Sequence, residues 1–115
     1  MRFISLFTHE PKGPPTPELI AEMGKLIEEG MKAGWLLATE GVAAGTAGTR
    51  VRQSGGKVTV VDGPFTEAKE VIGGYALLEA KSREAAIELA RRFLKVAGDG
   101  VCEMYPLYEA PPAGH

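Results

Sequence analysis

The 115-residue chain suits a single domain, because so short a chain cannot easily hold two hydrophobic cores. Hydrophobic residues make up 44% and charged residues 24%, and the formal net charge of -2 provides no basic surface for nucleic acid. No apolar run reaches the length of a signal-peptide core or a membrane span, and Cys102 has no second cysteine for a disulfide or a metal site, so a cytoplasmic protein without membrane contacts is expected.

The first part of the chain predicts a strand, a loop, a helix and a second strand. Residues 2–8 are almost continuously apolar, and the three prolines of the following loop exclude regular structure. Thr16 is placed to cap a helix that has Pro17 at its first position and ends at Gly34. A short apolar strand at 35–39 then leads into a connection rich in glycine and alanine.

Residues 49–54 and 57–62 are predicted to pair as a hairpin, because Gly55-Gly56 suits a two-residue turn. The register that this turn imposes places Asp62 on one face with alternate valines of the hairpin. These valines are Val51, Val58 and Val60. We expect this valine face to be the packed one, with Asp62 at the rim of apolar surface.

The last part of the chain predicts a strand, a helix and a final strand. The strand at 71–80 is interrupted by Gly73-Gly74, a pair that usually marks a bulge or the close approach of a backbone or ligand. Ser82 is placed to cap a helix that ends at Gly98, and a strand follows at 101–108. The tail at 110–115 is rich in proline, alanine and glycine and is expected to be disordered, so the single domain is predicted to cover 1–109.

This order of elements predicts an α+β fold. It is a ferredoxin-like split βαβ arrangement with an inserted β-hairpin, in which two helices cover one face of an antiparallel sheet. The other face would remain bare, although the strands supply apolar residues in both directions. The simplest cover is a second copy of the chain, which predicts a homodimer through the open sheet face and a small-molecule cleft beside each sheet.

The motif at the end of the hairpin resembles a family signature. The run Val60-Val61-Asp62-Gly63-Pro64-Phe65-Thr66-Glu67-Ala68-Lys69-Glu70, followed by Gly73-Gly74-Tyr75, resembles the DGPF branch of the YCII-related family, and the order of elements agrees over nearly the whole domain. The resemblance implies a dimeric α/β barrel related to small cofactor-free enzymes such as muconolactone isomerases. Some relatives are associated with sigma factors, and a proposed active site in the wider family pairs an aspartate with a histidine.

Asp62 matches the aspartate of that motif, but the histidine does not carry over. Many relatives have a histidine near the end of the second strand, where this chain reads Ala38-Thr39-Glu40-Gly41-Val42. Glu40 is either a solvated strand end or, if it meets Asp62, half of a carboxylate pair in which one group is the acid and the other the base. Asp62 itself either hydrogen-bonds its own turn or acts as general acid or base.

Four further residues complete the predicted site. His9, the one histidine outside the tail, is an alternative proton-transfer group because the ordinary pKa of histidine is near neutrality, although an exposed loop histidine is often silent. Lys69 either holds an anionic substrate or pairs with surface carboxylates, and Tyr75 either donates its hydroxyl to a ligand or buries its ring. Phe65 anchors the turn in apolar surface beside the substrate.

Two classes of function agree with these residues. The first is a small cofactor-free enzyme, without metal, that isomerises, eliminates or hydrates a small organic acid or aromatic-derived substrate at Asp62. The second is a non-catalytic ligand-binding or regulatory dimer in which the turn at Asp62 is structural.

Overall fold

The computed structural model describes residues 1–43, 48–63 and 71–109. The described elements in chain order are β1 (Arg2–His9), α1 (Pro17–Ala33), β2 (Leu36–Gly41), β3 (Thr49–Ser54), β4 (Lys57–Asp62), β5 (Val71–Glu79), α2 (Arg83–Ala97) and β6 (Val101–Pro106). Phe65, Lys69 and the tail at 110–115 lie outside the described residues. None of the helices in the described part of the chain is long and apolar enough to cross a bilayer.

Four strands form one antiparallel sheet in the order β2-β5-β1-β6, and β3 pairs with β4 as a separate hairpin. The prediction of an α+β chain with an antiparallel sheet and two helices is confirmed. Without the hairpin, the order of the four strands is consistent with the ferredoxin-like arrangement. In each strand-helix-strand unit, one other strand of the sheet lies between the two strands that the helix connects.

Both helices begin at the predicted caps. The hydroxyl of Thr16 accepts a hydrogen bond from the Leu19 N–H at 3.1 Å, and the hydroxyl of Ser82 accepts one from the Ala85 N–H at the same distance. These bonds satisfy amide groups that have no partner within the helix. Gly34 ends α1 in the left-handed conformation, with φ of 88°, which a residue with a side chain rarely adopts.

The hydrophobic core lies between the two helices and one face of the sheet. Phe3 of β1 and Leu78 of β5 are paired across the sheet, and each is 4% exposed. Ala86 of α2 and Ile27 of α1 belong to the same packed cluster. Because directly paired residues point to the same face, these contacts place both helices on one side of the sheet, as predicted.

The hairpin has the predicted register but not the predicted packing. Thr49 pairs with Asp62, and Gly55-Gly56 forms the turn with φ of 58° and 79°, values typical of a primed turn. Every residue of both strands is exposed, although we expected the face with Asp62 to be packed. The expectation was wrong for the single chain because register determines which side chains share a face and says nothing about what covers it.

The C-terminal end of helix α1 packs closely against the residues that follow it, whereas the remainder of the helix is only partly buried. In this helix, which is described in full, Gly30 is the one buried residue. A Cβ added at Gly30 would lie 2.7 Å from Cη2 of Trp35 and 2.9 Å from Cβ of Leu36, so backbone and ring meet without a side chain between them. The guanidinium of Arg92 covers Trp35 at 5.4 Å from the ring centroid and pairs with Glu29. The rest of α1 buries no residue fully.

Candidate functional site

A cavity of about 960 Å³ lies between the helices and the sheet, and we call it the α-side cavity. The sheet leaves space on this side of the cavity because three small or short side chains lie in one row across the sheet. They are Ser5 of β1, Ala76 of β5 and Thr39 of β2, which pair through Ala76. The apolar stripe of α1 faces them from above. The described members of this stripe at the cavity are Leu19, Ile20, Met23, Leu26 and Ile27.

His9 lies at the end of the α-side cavity. It is the last residue of β1 and is half-buried, whereas we expected an exposed loop residue. The extended strand runs one residue further than predicted because His9 pairs with Val71. Its ring lies against Phe7, with the ring centroids 5.3 Å apart and the planes inclined by 35°.

The contacts of His9 determine which of its ring nitrogens carries a proton. Nδ1 lies 2.7 Å from the carbonyl oxygen of Glu10, and a carbonyl oxygen only accepts hydrogen bonds, so Nδ1 carries hydrogen. In the neutral ring, Nε2 is then the unprotonated nitrogen that can take a proton. A Cβ added at Gly73 would lie 2.9 Å from Nε2, so the absence of a side chain at Gly73 gives the ring its place.

The glycine pair in β5 forms the predicted bulge and close approach. The register between β1 and β5 shifts after Phe7, because Phe7 pairs with Gly74 and Thr8 pairs with Ile72. A Cβ added at Gly74 would lie 2.7 Å from the carbonyl oxygen of Glu40 on β2. The bulge therefore turns Gly73 towards His9 and lets β2 and β5 approach at the border of the cavity.

Glu40 and Tyr75 are neighbours on paired strands, and their side chains point away from the helices. Glu40 pairs directly with Tyr75, next to the pair Thr39 and Ala76, which faces the cavity. Because successive side chains of a strand point to opposite faces, Glu40 and Tyr75 face the other side of the sheet. Both residues border the cavity, and the Thr39 hydroxyl donates a hydrogen bond to the carbonyl oxygen of Tyr75 at 2.7 Å. The structure thus brings Glu40 and Tyr75 together on the helix-free face and places His9 on the helix-covered face.

Asp62 lies at the end of β4 and is exposed. The hydroxyl of Thr49 donates a hydrogen bond to its Oδ1 at 3.5 Å, and the N–H of Gly63 donates one to the carbonyl oxygen of Gly48 at 2.6 Å. Asp62 is not among the described residues that line the α-side cavity. The chain that follows it, which includes Phe65 and Lys69, lies outside the described residues.

Sequence reasoning missed the polar side chains inside the α-side cavity. Ser5 is 7% exposed and occupies the inward phase of β1, between Phe3 and Phe7. Cys102 of β6 pairs with Phe7 and lines the same cavity. A signal for Ser5 was present in the alternation of β1, because a hydroxyl interrupts an otherwise aromatic face.

Burial raises the pKa of the Cys102 thiol, and its hydrogen bond with Ser5 opposes that rise by less. The thiol is therefore protonated at neutral pH and reacts slowly with electrophiles, because the thiolate is the nucleophile. Since Cys102 is the one cysteine of the chain, its alkylation reports specifically on access to this cavity.

The fold and the cavity define a small α+β domain with a pocket between its helices and its sheet. A family model, the YCII-related domain, matches residues 1–111, and the chain belongs to that family. An uncharacterised protein of Rhizobium meliloti (strain 1021) is 36% identical over 74 residues, which is 64% of this chain and 56% of that protein. The match therefore spans little more than half the length of that relative.

Proposed function

We propose that this protein binds a small, largely apolar organic molecule in the α-side cavity and transfers a proton on it without a cofactor. The observation that carries the proposal is the cavity itself, with the oriented ring of His9 at its end. Its volume lies within the range of about 300–1,000 Å³ that is usual for small-molecule sites. The DGPF motif at 62–65 supports placing the chain in the DGPF branch of its family.

The packing of α1 supports ligand binding in the cavity. Fully burying an aliphatic side chain contributes roughly 1.5–3 kcal/mol, and the described side chains bury none of the five residues of the α1 stripe fully. Ile20 remains 59% exposed, although it faces the helix-covered side of the sheet. A ligand that filled the space between this stripe and the Ser5–Ala76–Thr39 row would remove that apolar surface from water.

The chemistry that we propose is general acid/base catalysis. His9 exchanges a proton with the ligand through Nε2, while its Nδ1–H bond to Glu10 holds the ring in place. Asp62, at the exposed end of the hairpin, is a second candidate proton-transfer group, and Phe65 and Lys69 stay predicted substrate-binding residues. The Glu40 carboxylate and the Tyr75 hydroxyl point to the helix-free face, so they are candidate groups for a ligand bound on that face and not for one in the α-side cavity. Isomerisation, elimination and hydration of a small organic acid each need only such groups.

The second candidate is a non-catalytic ligand-binding or regulatory protein. The position of Asp62 favours it, because an exposed carboxylate that accepts a hydrogen bond from its own hairpin has a structural role already. In this alternative the α-side cavity binds the same class of ligand, and the protein does not change it. Sustained turnover of a bound compound is the observation that separates the two candidates.

Filling the cavity tests the proposal directly. Ala76→Met should place a flexible apolar side chain over the cavity floor, because Ala76 lies between Ser5 and Thr39. A screen of small acids and phenols should identify compounds that raise the Tm of the wild type and slow alkylation of Cys102 at mildly alkaline pH. Ala76→Met should abolish both effects while its own Tm stays near or above that of the wild type.

Gly24→Ala is the matched control for this experiment. Gly24 also borders the cavity, but a Cβ added there meets no atom within 4 Å, so the cavity keeps its shape. Compounds should therefore bind Gly24→Ala as they bind the wild type. If no compound protects Cys102 in the wild type, or if Ala76→Met binds as well as the wild type, the α-side cavity is not the ligand site.

We also propose that two copies pair through the helix-free face of the sheet. Ile72, Val101 and Tyr105 lie on this face and are 44%, 49% and 51% exposed, so apolar side chains of two neighbouring parts of the sheet are uncovered in the single chain. Leu6, at the centre of β1, pairs with Tyr75 and shares the face. A two-fold axis through this face would bring each of these residues against, or close to, the same residues of the second copy.

Leu6→Glu should convert the dimer to a monomer, because each new carboxylate would lie beside Glu103, which pairs with residue 6, and would face its own copy across a desolvated interface. The mass in solution, measured by light scattering over a range of protein concentrations, checks this. Lys81→Glu, a charge reversal at an exposed position outside the strands, should leave the dimer intact. A wild-type protein that is monomeric at high micromolar concentration contradicts the proposed pairing.

A further inference from the structure

Lys12 is the one Lys or Arg among the described residues that line the α-side cavity. Its Nζ donates a hydrogen bond to the carbonyl oxygen of Ala97, 3.3 Å away. Ala97 is the last residue of α2 and also borders the cavity. Carbonyl groups at a helix C-terminus lack partners within the helix and carry partial negative charge. The ammonium group is therefore held at the border of the cavity by an uncharged acceptor.

Beside Lys12, the C-terminal end of α2 is unfavourable for an anion. The carbonyl end of α2 repels negative charge, and the cavity wall above the sheet is apolar. An acid that buried its hydrocarbon part under α1 would thus need one cation for its carboxylate. Lys12 lies where the loop after His9 crosses to α1, so it can meet that carboxylate at the border of the cavity.

We infer that the α-side cavity selects an amphipathic carboxylic acid, and that Lys12 exchanges its contact with the Ala97 carbonyl for the carboxylate of the ligand. The inference rests on the proposed function, because it names the ligand class of the same cavity. The exchange favours the acid because a carboxylate adds charge–charge attraction to the ammonium, which the neutral carbonyl of Ala97 does not supply. An amide or an alcohol of the same shape gains nothing comparable from Lys12.

Matched acids and amides test this assignment. Hydrocinnamate and octanoate are each compared with the corresponding primary amide, by calorimetry and by protection of Cys102 from alkylation. The wild type should bind each acid more tightly than its amide. Lys12→Met should weaken the acids by about 10- to 100-fold, the range expected for losing a hydrogen bond to a charged group, and leave the amides nearly unchanged. Lys12→Arg should keep most of the affinity for the acids.

Lys57→Met is the control, because Lys57 is an exposed lysine at the turn of the hairpin. It should bind acids and amides as the wild type does. If the wild type binds acids and amides equally, or if Lys12→Met weakens both to the same degree, Lys12 does not select the ligand, although the cavity remains a binding site. If neither acids nor amides protect Cys102, the proposed function itself is wrong.

Discussion

His9→Gln is expected to slow turnover in the α-side cavity by about 10²- to 10⁴-fold, the range typical of removing a general acid or base. The structure supplies the physical reason, because the carbonyl oxygen of Glu10 keeps the proton on Nδ1 and thereby leaves Nε2 to exchange one. Glutamine has a similar length and polarity but does not titrate near neutral pH. Ligand affinity should change little, so kcat should fall while KM stays within a few-fold.

Steady-state kinetics on a compound from the ligand screen provides the measurement. Gly73→Ala is the informative companion, because the added Cβ would meet the ring of His9 without removing it. Its rate should fall between those of the wild type and His9→Gln. Asp62→Asn shows whether Asp62 acts with His9: if they act as a unit, the double variant should be no slower than the slower single variant. Equal turnover by wild type and His9→Gln contradicts the role of His9.

Gly30→Val is expected to cause the largest loss of stability among the substitutions considered, about 2 kcal/mol or more. Overpacking of this kind typically costs about 1–3 kcal/mol, and here the new side chain meets both the Trp35 ring and Cβ of Leu36. An indole has no flexible end that could move aside, and Arg92 covers it in the structure. Relief would require α1 to move off β2, which would expose Trp35 and change the shape of the cavity.

Urea unfolding gives the free energies, and Gly24→Ala in the same helix is the contrast. Nothing lies within 4 Å of a Cβ added at Gly24, so the change should stabilise the protein by about 0.5–1 kcal/mol through helix propensity. The two glycines thus predict changes of opposite sign. A Gly30→Val protein as stable as the wild type would show that α1 does not lie against Trp35.

Local chemistry was enough to predict the elements of this protein. Thr16 and Ser82 cap their helices by bonding amides three residues away, and these bonds depend on neighbours in the chain alone. The Gly55-Gly56 turn likewise determined the hairpin register, including the pairing of Thr49 with Asp62. Short-range interactions of this kind are encoded in a few consecutive residues, so sequence patterns predict them well.

The candidate site could be predicted in part. The sequence named His9 as a proton-transfer candidate and Gly73-Gly74 as a bulge, but it could not show that the bulge makes room for the His9 ring. That contact joins residues 64 positions apart. Lys12 and Ala97 are separated by 85 positions, and no pattern within either segment indicates their hydrogen bond. Asp62 had the clearest motif, yet its strand is exposed in the single chain.

The sequence by itself determined the α+β order of elements, the caps, the turn and the membership of each face, because these follow from backbone geometry and alternation. Only the tertiary structure decided where the space between the layers lies. The α-side cavity lies between the short side chains of Ser5, Ala76 and Thr39 and helix α1, which packs against Trp35 and Leu36 at Gly30. The space between the sheet and the helix depends on side chains from three strands at once, and no single segment of the chain contains all of them.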